Sequence, residues 1–185
     1  MQHNIALQVL QAEIQHLPLV VPLFDAYRQF YKQPANPEGA YDFLTQRFQE
    51  GSSVLFLALR EEEQDKPIAY GFIQLYPTFS SVSMKHLWIL NDLFVIPEGR
   101  RQGVGTKLLE RAHAFAVETH AKGLTLKTAR ENATAQALYE SLGWQRDTHF
   151  FSYDLLASQS CKVVGPLYST TSKIISISTA AFAGS

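Results

Sequence analysis

Cysteine is almost absent from this 185-residue chain: Cys161 stands alone. No internal disulfide can form, and the N-terminus lacks the charged and apolar blocks of a secretory signal, so the expected location is cytoplasmic. Charge of one sign is equally scarce. With 16 Lys+Arg against 17 Asp+Glu the formal charge is −1, which leaves no positive field to hold a polyanion by counterion release and excludes nucleic acid as an expected partner. Long hydrophobic runs are missing too. The most apolar stretch, 83–97, is broken by Lys85, His86, Asn91 and Asp92 and falls short of the ~20 apolar residues that cross a bilayer, so no membrane association is expected. The six histidines (His3, His16, His86, His113, His120, His149) show no metal-ligand spacing, and no metal is expected.

What remains is an ordinary globular composition, 46% hydrophobic and 18% charged, in a length that suits one α/β domain. Residues 5–10 alternate weakly and read as a strand. Residues 17–31 carry helical spacing through Val21, Phe24, Tyr27, Phe30 and Tyr31, with Pro18 and Pro22 suited only to a first turn. After the loop at Pro34, Asn36, Pro37 and Gly39, a second helix carries Tyr41, Leu44 and Phe48 up to a stop at Gly51. Residues 53–59 and 68–76 read as a hairpin about the polar turn 61–66. A third run, 87–96, is apolar on both alternating faces, with Leu87, Ile89, Leu93 and Val95 on one and Trp88, Leu90, Phe94 and Ile96 on the other, as in a central strand covered on both sides. A helix from 103 to 120, a short strand at 124–128, a helix over 132–142 stopped by Gly143, and extended pieces at 144–147 and 150–155 complete the pattern. The chain therefore divides into a domain over 1–157 and an extension over 158–185 of unassigned role. That tail is compatible with docking on the domain, with packing on a second subunit in a homodimer, or with a bland extension.

Chemistry concentrates where the third strand feeds the next helix. A strand, a loop with two glycines and a helix aim unpaired backbone N–H groups and the positive end of the helix dipole at one point, which makes an anion site. In Arg100-Arg101-Gln102-Gly103-Val104-Gly105-Thr106, the glycines let main chain approach the anion, the arginines add charge and Thr106 adds a hydroxyl. The preferred guest is a phosphate. Walker A chemistry needs Gly-Lys-Ser/Thr, but the order here is Gly105-Thr106-Lys107; the dinucleotide fingerprint fails at Leu108 and lacks its acidic residue near Thr125.

The string Asn91-Asp92-Leu93-Phe94-Val95-x-Pro97-x-x-Arg100-x-x-Gly103-x-Gly105-x-x-Leu108-Leu109, followed by Asn132-Ala133-x-Ala135-x-x-x-Tyr139-x-x-x-Gly143-Trp144, resembles the two coenzyme motifs of the GCN5-related N-acetyltransferase (GNAT) family. Its Asp-Leu-Phe-Val wording is most similar to the branch with small-amine, polyamine and histone-type enzymes. The resemblance covers residues 5–155. It implies an α/β (α+β) fold with a mixed, mostly antiparallel sheet flanked by helices and splayed between its fourth and fifth strands. It also implies acetyl-CoA as donor, coenzyme A as co-product, and a small-molecule or peptide amine as acceptor, attacked directly in a ternary complex. A catalytically silent acyl-CoA-binding or regulatory module is the alternative.

An alkylammonium of pKa near ~10.4 must lose a proton before it attacks a thioester. Asp92, a carboxylate in an otherwise apolar strand, is the expected base, although related sequences often carry an acid where Asn91 stands, and a water relay would serve as well. The resemblance places the phenol of Tyr139 beside the sulfur as general acid, and Asn132 at the coenzyme arm, where it also suits a helix cap. Backbone N–H groups around Phe94 and Val95 are expected to meet the thioester carbonyl. The resemblance also implies that the helical hairpin carrying Tyr27, Phe30, Tyr31 and Tyr41 covers the acceptor pocket, with Asn91 beside it, and aromatic walls suit an alkylamine chain or cation.

Overall fold

The structure is a computed structural model that describes residues 6–61 and 67–155. The tail over 158–185, Cys161 and most of the 61–66 turn lie outside the described residues. Among the described residues five strands run in the order β1 (Gln8–Gln11), β2 (Val54–Glu61), β3 (Pro67–Ser80), β4 (Lys85–Val95) and β5 (Leu124–Leu126). The first four pair antiparallel, and β4 pairs β5 in parallel. Four helices accompany them: α1 (Leu17–Phe30), α2 (Pro37–Glu50), α3 (Val104–Glu118) and α4 (Ala133–Ser141).

The sheet is buried on both faces. Leu55, Leu57, Leu59 and Phe72 meet Val20, Phe24, Ala40 and Leu44 of α1 and α2. Phe56, Ala58, Ile73 and Leu75 meet Val104, Leu108, Leu109 and Ala112 of α3 on the opposite face. Deleting one such side chain costs about 2–5 kcal/mol, by lost transfer energy plus the cavity it leaves.

Several elements differ from the pattern read in the sequence. Pro22 lies inside α1 rather than in its first turn; a 3₁₀ turn at Ile14–His16 precedes the helix. Strand β3 runs on to Ser80, paired with β4 beyond the end of β2. No strand forms at 144–155. Asp147 accepts hydrogen bonds from the N–H groups of His149 and Phe150 at 2.8 and 3.1 Å, which bends the chain there, and Phe150, Phe151, Tyr153 and Leu155 stand exposed.

The most consequential difference is in β4. Its register with β3 passes from Gln74↔Asp92 to Leu75↔Leu90, leaving Asn91 as the extra residue of a β-bulge. An extra residue reverses the alternation beyond it. Trp88, Leu90, Leu93 and Val95 therefore all pack on the α3 side, while Phe94 and Ile96 pack on the α1–α2 side, which corrects the two faces read from simple alternation.

Candidate active site

Strand β5 pairs β4 only at Trp88–Leu90, opposite Leu124–Leu126. Past Leu90 the two strands share no ladder, and a gap opens along the second half of β4. Ile96 N–H donates to the Tyr70 carbonyl on β3. Alternation then directs the amides of Val95 and Leu93 into the gap and that of Phe94 toward β3. Of the expected pair, Val95 is thus the one whose N–H faces the opening, while the Phe94 ring is buried among Tyr27 and Phe72.

At the end of β4 the chain makes a 3₁₀ turn over Pro97–Gly99 and enters left-handed backbone at Arg101 (φ 58°) and Gly103 (φ 78°) before α3 begins. Gly103 is the N-cap and offers no side-chain hydrogen bond to the helix. The first amide bonded inside the helix is Lys107 N–H, to the Gly103 carbonyl at 3.0 Å; those of Val104, Gly105 and Thr106 precede it and have no turn behind them to accept. A Cβ at Gly103 would meet nothing within 4 Å, so the space above these amides is open. The loop is braced from outside. Gln102 Oε1 accepts from Arg60 Nη1 at 2.8 Å, and Arg100 Nε donates to the Val95 carbonyl at 3.1 Å. Val104 is fully buried and contributes only its main chain.

Gly105 has a second task. A Cβ there would come 3.2 Å from Leu138 Cδ2, so its bareness lets α4 sit close on the first turn of α3. Asn132 caps α4, its Oδ1 accepting from Ala135 N–H at 3.2 Å. Helix α4 carries Tyr139, whose ring packs on Trp144 with centroids 5.8 Å apart. Burial, and then the neighbouring Tyr31, raise the Tyr139 phenol above its ordinary pKa.

On the other side of the gap Asn91, exposed at the bulge, donates through Nδ2 to Asp92 Oδ2 at 3.0 Å. Asp92 is only 5% exposed and faces α1, where the Tyr27 hydroxyl hydrogen-bonds to it. Burial first and then the Asp92 charge push the Tyr27 phenol far upward; Tyr31 hydrogen-bonds to Tyr27 as well. Phe30 and Tyr31 are 60% and 56% exposed and packed edge to face at 5.3 Å. Tyr41 is half exposed. Asp92, Tyr27 and Tyr31 are therefore brought together although they come from β4 and the end of α1, whereas Tyr139 packs on the α3 side of the sheet and feels Tyr31 only electrostatically.

Sequence reasoning missed two polar residues on this face. Gln74, opposite Asp92, is fully buried and donates through Nε2 to Ser53 Oγ at 2.8 Å, while its Oε1 has no hydrogen-bond partner among the described residues. Tyr76 lies two residues further along β3, its phenol raised by burial and by Asp92. An isolated Gln or Tyr inside an apolar run carries no signal in one sequence. Among the described residues, no group of three or more His, Cys, Asp or Glu is placed to hold a metal.

Comparison with known proteins bears on this geometry. Residues 20–144 match the model of the Acetyltransferase (GNAT) family. The chain belongs to the GNAT family. It is 45% identical over 149 residues to the uncharacterized N-acetyltransferase YhfO of Bacillus subtilis strain 168, a match covering 80% of this chain and 97% of that one. A probable acetyltransferase of Haemophilus influenzae is 32% identical over 75% of this chain and 90% of its own. The crystal structure of a probable acetyltransferase superposes with a TM-score of 0.76 at 44% identity, covering 83% of this chain and 99% of that chain. This GNAT protein is an acetyltransferase, and its mixed, open sheet with four flanking helices is the fold of its structural neighbours.

Proposed function

We propose that this GNAT enzyme takes the acetyl group of acetyl-CoA and passes it to a primary amine of a small molecule or peptide, within a ternary complex. The observation that carries the reading is the open run of helix-start amides above Gly103, lying at the end of the strand that has parted from its neighbour. Main-chain donors at the positive end of a 15-residue helix suit a diphosphate, and Arg100, Arg101 and the Thr106 hydroxyl adjoin them. Val95, Gln102, Val104, Gly105 and Asn132 complete the coenzyme side, while Phe94, turned toward β3 and α1, leaves it. Bound there, acetyl-CoA supplies an activated acyl group and a thiolate leaving group.

The chain's own residues supply the proton chemistry and the positioning. Val95 N–H, directed into the gap, stabilises charge developing on an acyl oxygen. Asp92 accepts the proton that an alkylammonium must lose, with Asn91 holding its Oδ2. Tyr139, kept protonated by burial, donates to the departing sulfur. Phe30, Tyr31 and Tyr41 present exposed aromatic surface on α1, its C-terminal end and α2, which suits the carbon chain or charge of an amine. The domain extends over 1–157 in this reading, with 158–185 as an appended segment. The single cysteine fits a cytoplasmic location.

Calorimetric titration with acetyl-CoA, ATP and NAD, followed by an amine panel assayed for release of free coenzyme A, tests the proposal. Saturable binding of acetyl-CoA alone and turnover with at least one primary amine are expected. Absence of affinity for acetyl-CoA overturns it.

A further inference from the structure

Asp25 is a buried carboxylate outside the acetyl-transfer chemistry. It lies on α1 at 6% exposure, and three donors converge on it. Arg28 Nη1 reaches Oδ1 at 3.0 Å, Asn36 N–H reaches the same oxygen at 2.9 Å, and Gln29 Nε2 reaches Oδ2 at 2.9 Å. Two of these come from the next turn of the helix. The third comes from the far end of the connection to α2, which spans residues 31–36.

The groups that Asp25 holds go on to hold the rest of the connection. Arg28 Nη1 also donates to the Pro34 carbonyl at 3.2 Å, and the Arg28 and Gln29 carbonyls accept from Gln33 and Lys32 N–H at 3.1 and 2.8 Å. Those last two bonds close α1 as a Schellman motif, whose left-handed residue is usually glycine. Here it is Lys32, at φ 60°, a conformation that persists only where its surroundings over-determine it. At the other end Asn36 caps α2, its Oδ1 accepting from Gly39 N–H at 2.9 Å.

The two helices do not need this carboxylate in order to pack. Val20, Phe24, Ala40 and Leu44 already join α1 to α2 through apolar contact, and the Phe24 and Phe43 rings stack at 5.5 Å. A buried charge is costly unless it is fully paired, and a surface turn requires none. What Asp25 fixes is the connection, and with it Phe30 and Tyr31, exposed side chains that stand where the connection begins. The Tyr31 ring lies edge to face on that of Tyr27 at 5.1 Å, and the Tyr27 hydroxyl bonds Asp92. The rim of the acceptor side is thereby set against Asp92 before any amine arrives.

We propose that Asp25 is a positioning residue for the acceptor: it locks the α1–α2 connection, so that Phe30 and Tyr31 form a wall set in advance for the amine's carbon chain rather than a lid that must order on binding. The inference rests on the reading given under Proposed function. In this role Asp25 touches neither amine nor coenzyme and moves no proton. Its effect is on the entropy of binding, since side chains ordered beforehand do not have to be immobilised when the amine lands.

The test compares Asp25→Ala with Asp25→Asn in the full chain. An asparagine oxygen in the place of Oδ1 keeps Arg28 and Asn36, and its NH2 group faces Gln29, whose amide can turn to accept. Alanine releases all three donors. Hydrogen exchange followed by NMR needs no substrate: the Asn36 amide should exchange roughly 10-fold faster in Asp25→Ala and within about 3-fold of wild type in Asp25→Asn, with the Lys107 amide of α3 unchanged. Kinetics use the amine that the wild type turns over best from a panel of alkylamines, diamines and lysine peptides. Asp25→Ala should raise the KM for that amine roughly 10-fold and leave kcat and acetyl-CoA affinity within about 2-fold of wild type. Asp25→Asn should restore the KM. A lowered melting temperature with wild-type KM in Asp25→Ala makes the role purely structural and overturns the proposal, as does an asparagine variant no better than alanine or an Asn36 amide that exchanges as in the wild type. Should Asp25→Ala fail to fold, Arg28→Leu, which frees Pro34 and one side of the carboxylate, must show the same selective rise, about 3-fold or more; an unchanged KM there overturns the proposal. Failure of the wild type to release coenzyme A with any amine overturns the proposed function and the role of Asp25 with it, whereas wild-type turnover with an unmoved KM in the variants removes Asp25 alone.

Discussion

The two sides of the gap are made of different material. The side proposed for the coenzyme is main chain: consecutive amides at the start of α3, opened by left-handed backbone at Arg101 and Gly103. The side proposed for the acceptor is side chain: Tyr27 and Tyr31 from the end of α1, Gln74 and Tyr76 from β3, and Asn91 and Asp92 from β4. The first depends on local conformation and tolerates almost any side chain that keeps the turn. The second depends on register and packing between elements far apart in the chain, and a change of one atom is felt.

The largest expected break in this contrast is Gly103→Val. A branched side chain in left-handed backbone costs about 1–2 kcal/mol, and the loop must either carry that strain or turn its amides away. Because a Cβ there meets nothing within 4 Å, the fold should survive. Calorimetry should show coenzyme affinity weakened by roughly 100-fold, about 2.7 kcal/mol, with the melting temperature lowered by only about 2–8 °C. Wild-type affinity would mean that the amides do not hold the diphosphate.

Tyr139→Phe tests the opposite dependence, on a single oxygen. Its ring contact with Trp144 remains, so coenzyme binding should be preserved while kcat falls about 10- to 100-fold. Steady-state kinetics paired with the same titration separates the two. An unaltered kcat would remove Tyr139 from the proton chemistry.

The same contrast explains what one sequence makes legible. The glycine loop proposed to hold the diphosphate stands out in the sequence because its signal is contiguous: Gly103, Gly105 and the arginines lie within a few residues of one another, and the competing phosphate motifs fail on residue order or identity. Helix ends were legible for the same local reason, as at Gly51, left-handed at φ 58°, and at the Asn132 cap. The bulge at Asn91 was not legible, because an extra residue leaves composition and local alternation untouched until the partner strand fixes the register. Its consequence is large: it turns Asp92 and Phe94 toward α1 and gives the carboxylate its tyrosine. Gln74 was hidden likewise, since its neighbours Ile73 and Leu75 read as an apolar run. The expected strands at 144–155 failed because β5, with three residues, offers little edge to extend, and the turn at Asp147 interrupts the run.

Tyr27→Phe sharpens the acceptor side through stability rather than rate. A hydrogen bond to a charged, buried group contributes about 1.5–3 kcal/mol, so losing it should lower the melting temperature by roughly 3–12 °C for a chain of this size. The pH dependence has a definite sign. The Tyr27 phenol is raised far above its ordinary value by burial and by Asp92, whereas in the unfolded chain it ionises near pH ~10. Its contribution is complete below that pH and is lost as the pH rises beyond it, because only the unfolded state then releases the proton. Denaturation at increasing alkalinity should show a steeper fall for the wild type than for the Phe variant. Parallel curves would mean that the hydroxyl is not held as described.

The smallest effect is expected two residues from the largest. In Gly105→Ala the new Cβ comes 3.2 Å from Leu138 Cδ2, the free end of a flexible side chain, which can yield by a few tenths of an ångström. Position 105 is the second residue of α3 and its φ is not positive, so alanine gains up to about 1 kcal/mol of helix propensity over glycine. That gain and the cost of displacing Leu138 should nearly cancel, leaving stability within about 0.5 kcal/mol of wild type and coenzyme affinity within a few-fold. The comparison with Gly103→Val then isolates backbone conformation as the variable, since both substitutions add side chain to the same loop and only one falls where the chain turns left-handed. If Gly105→Ala instead loses affinity as severely as Gly103→Val, bare space at the amides matters more than their direction, and the coenzyme side is no less dependent on side-chain volume than the acceptor side.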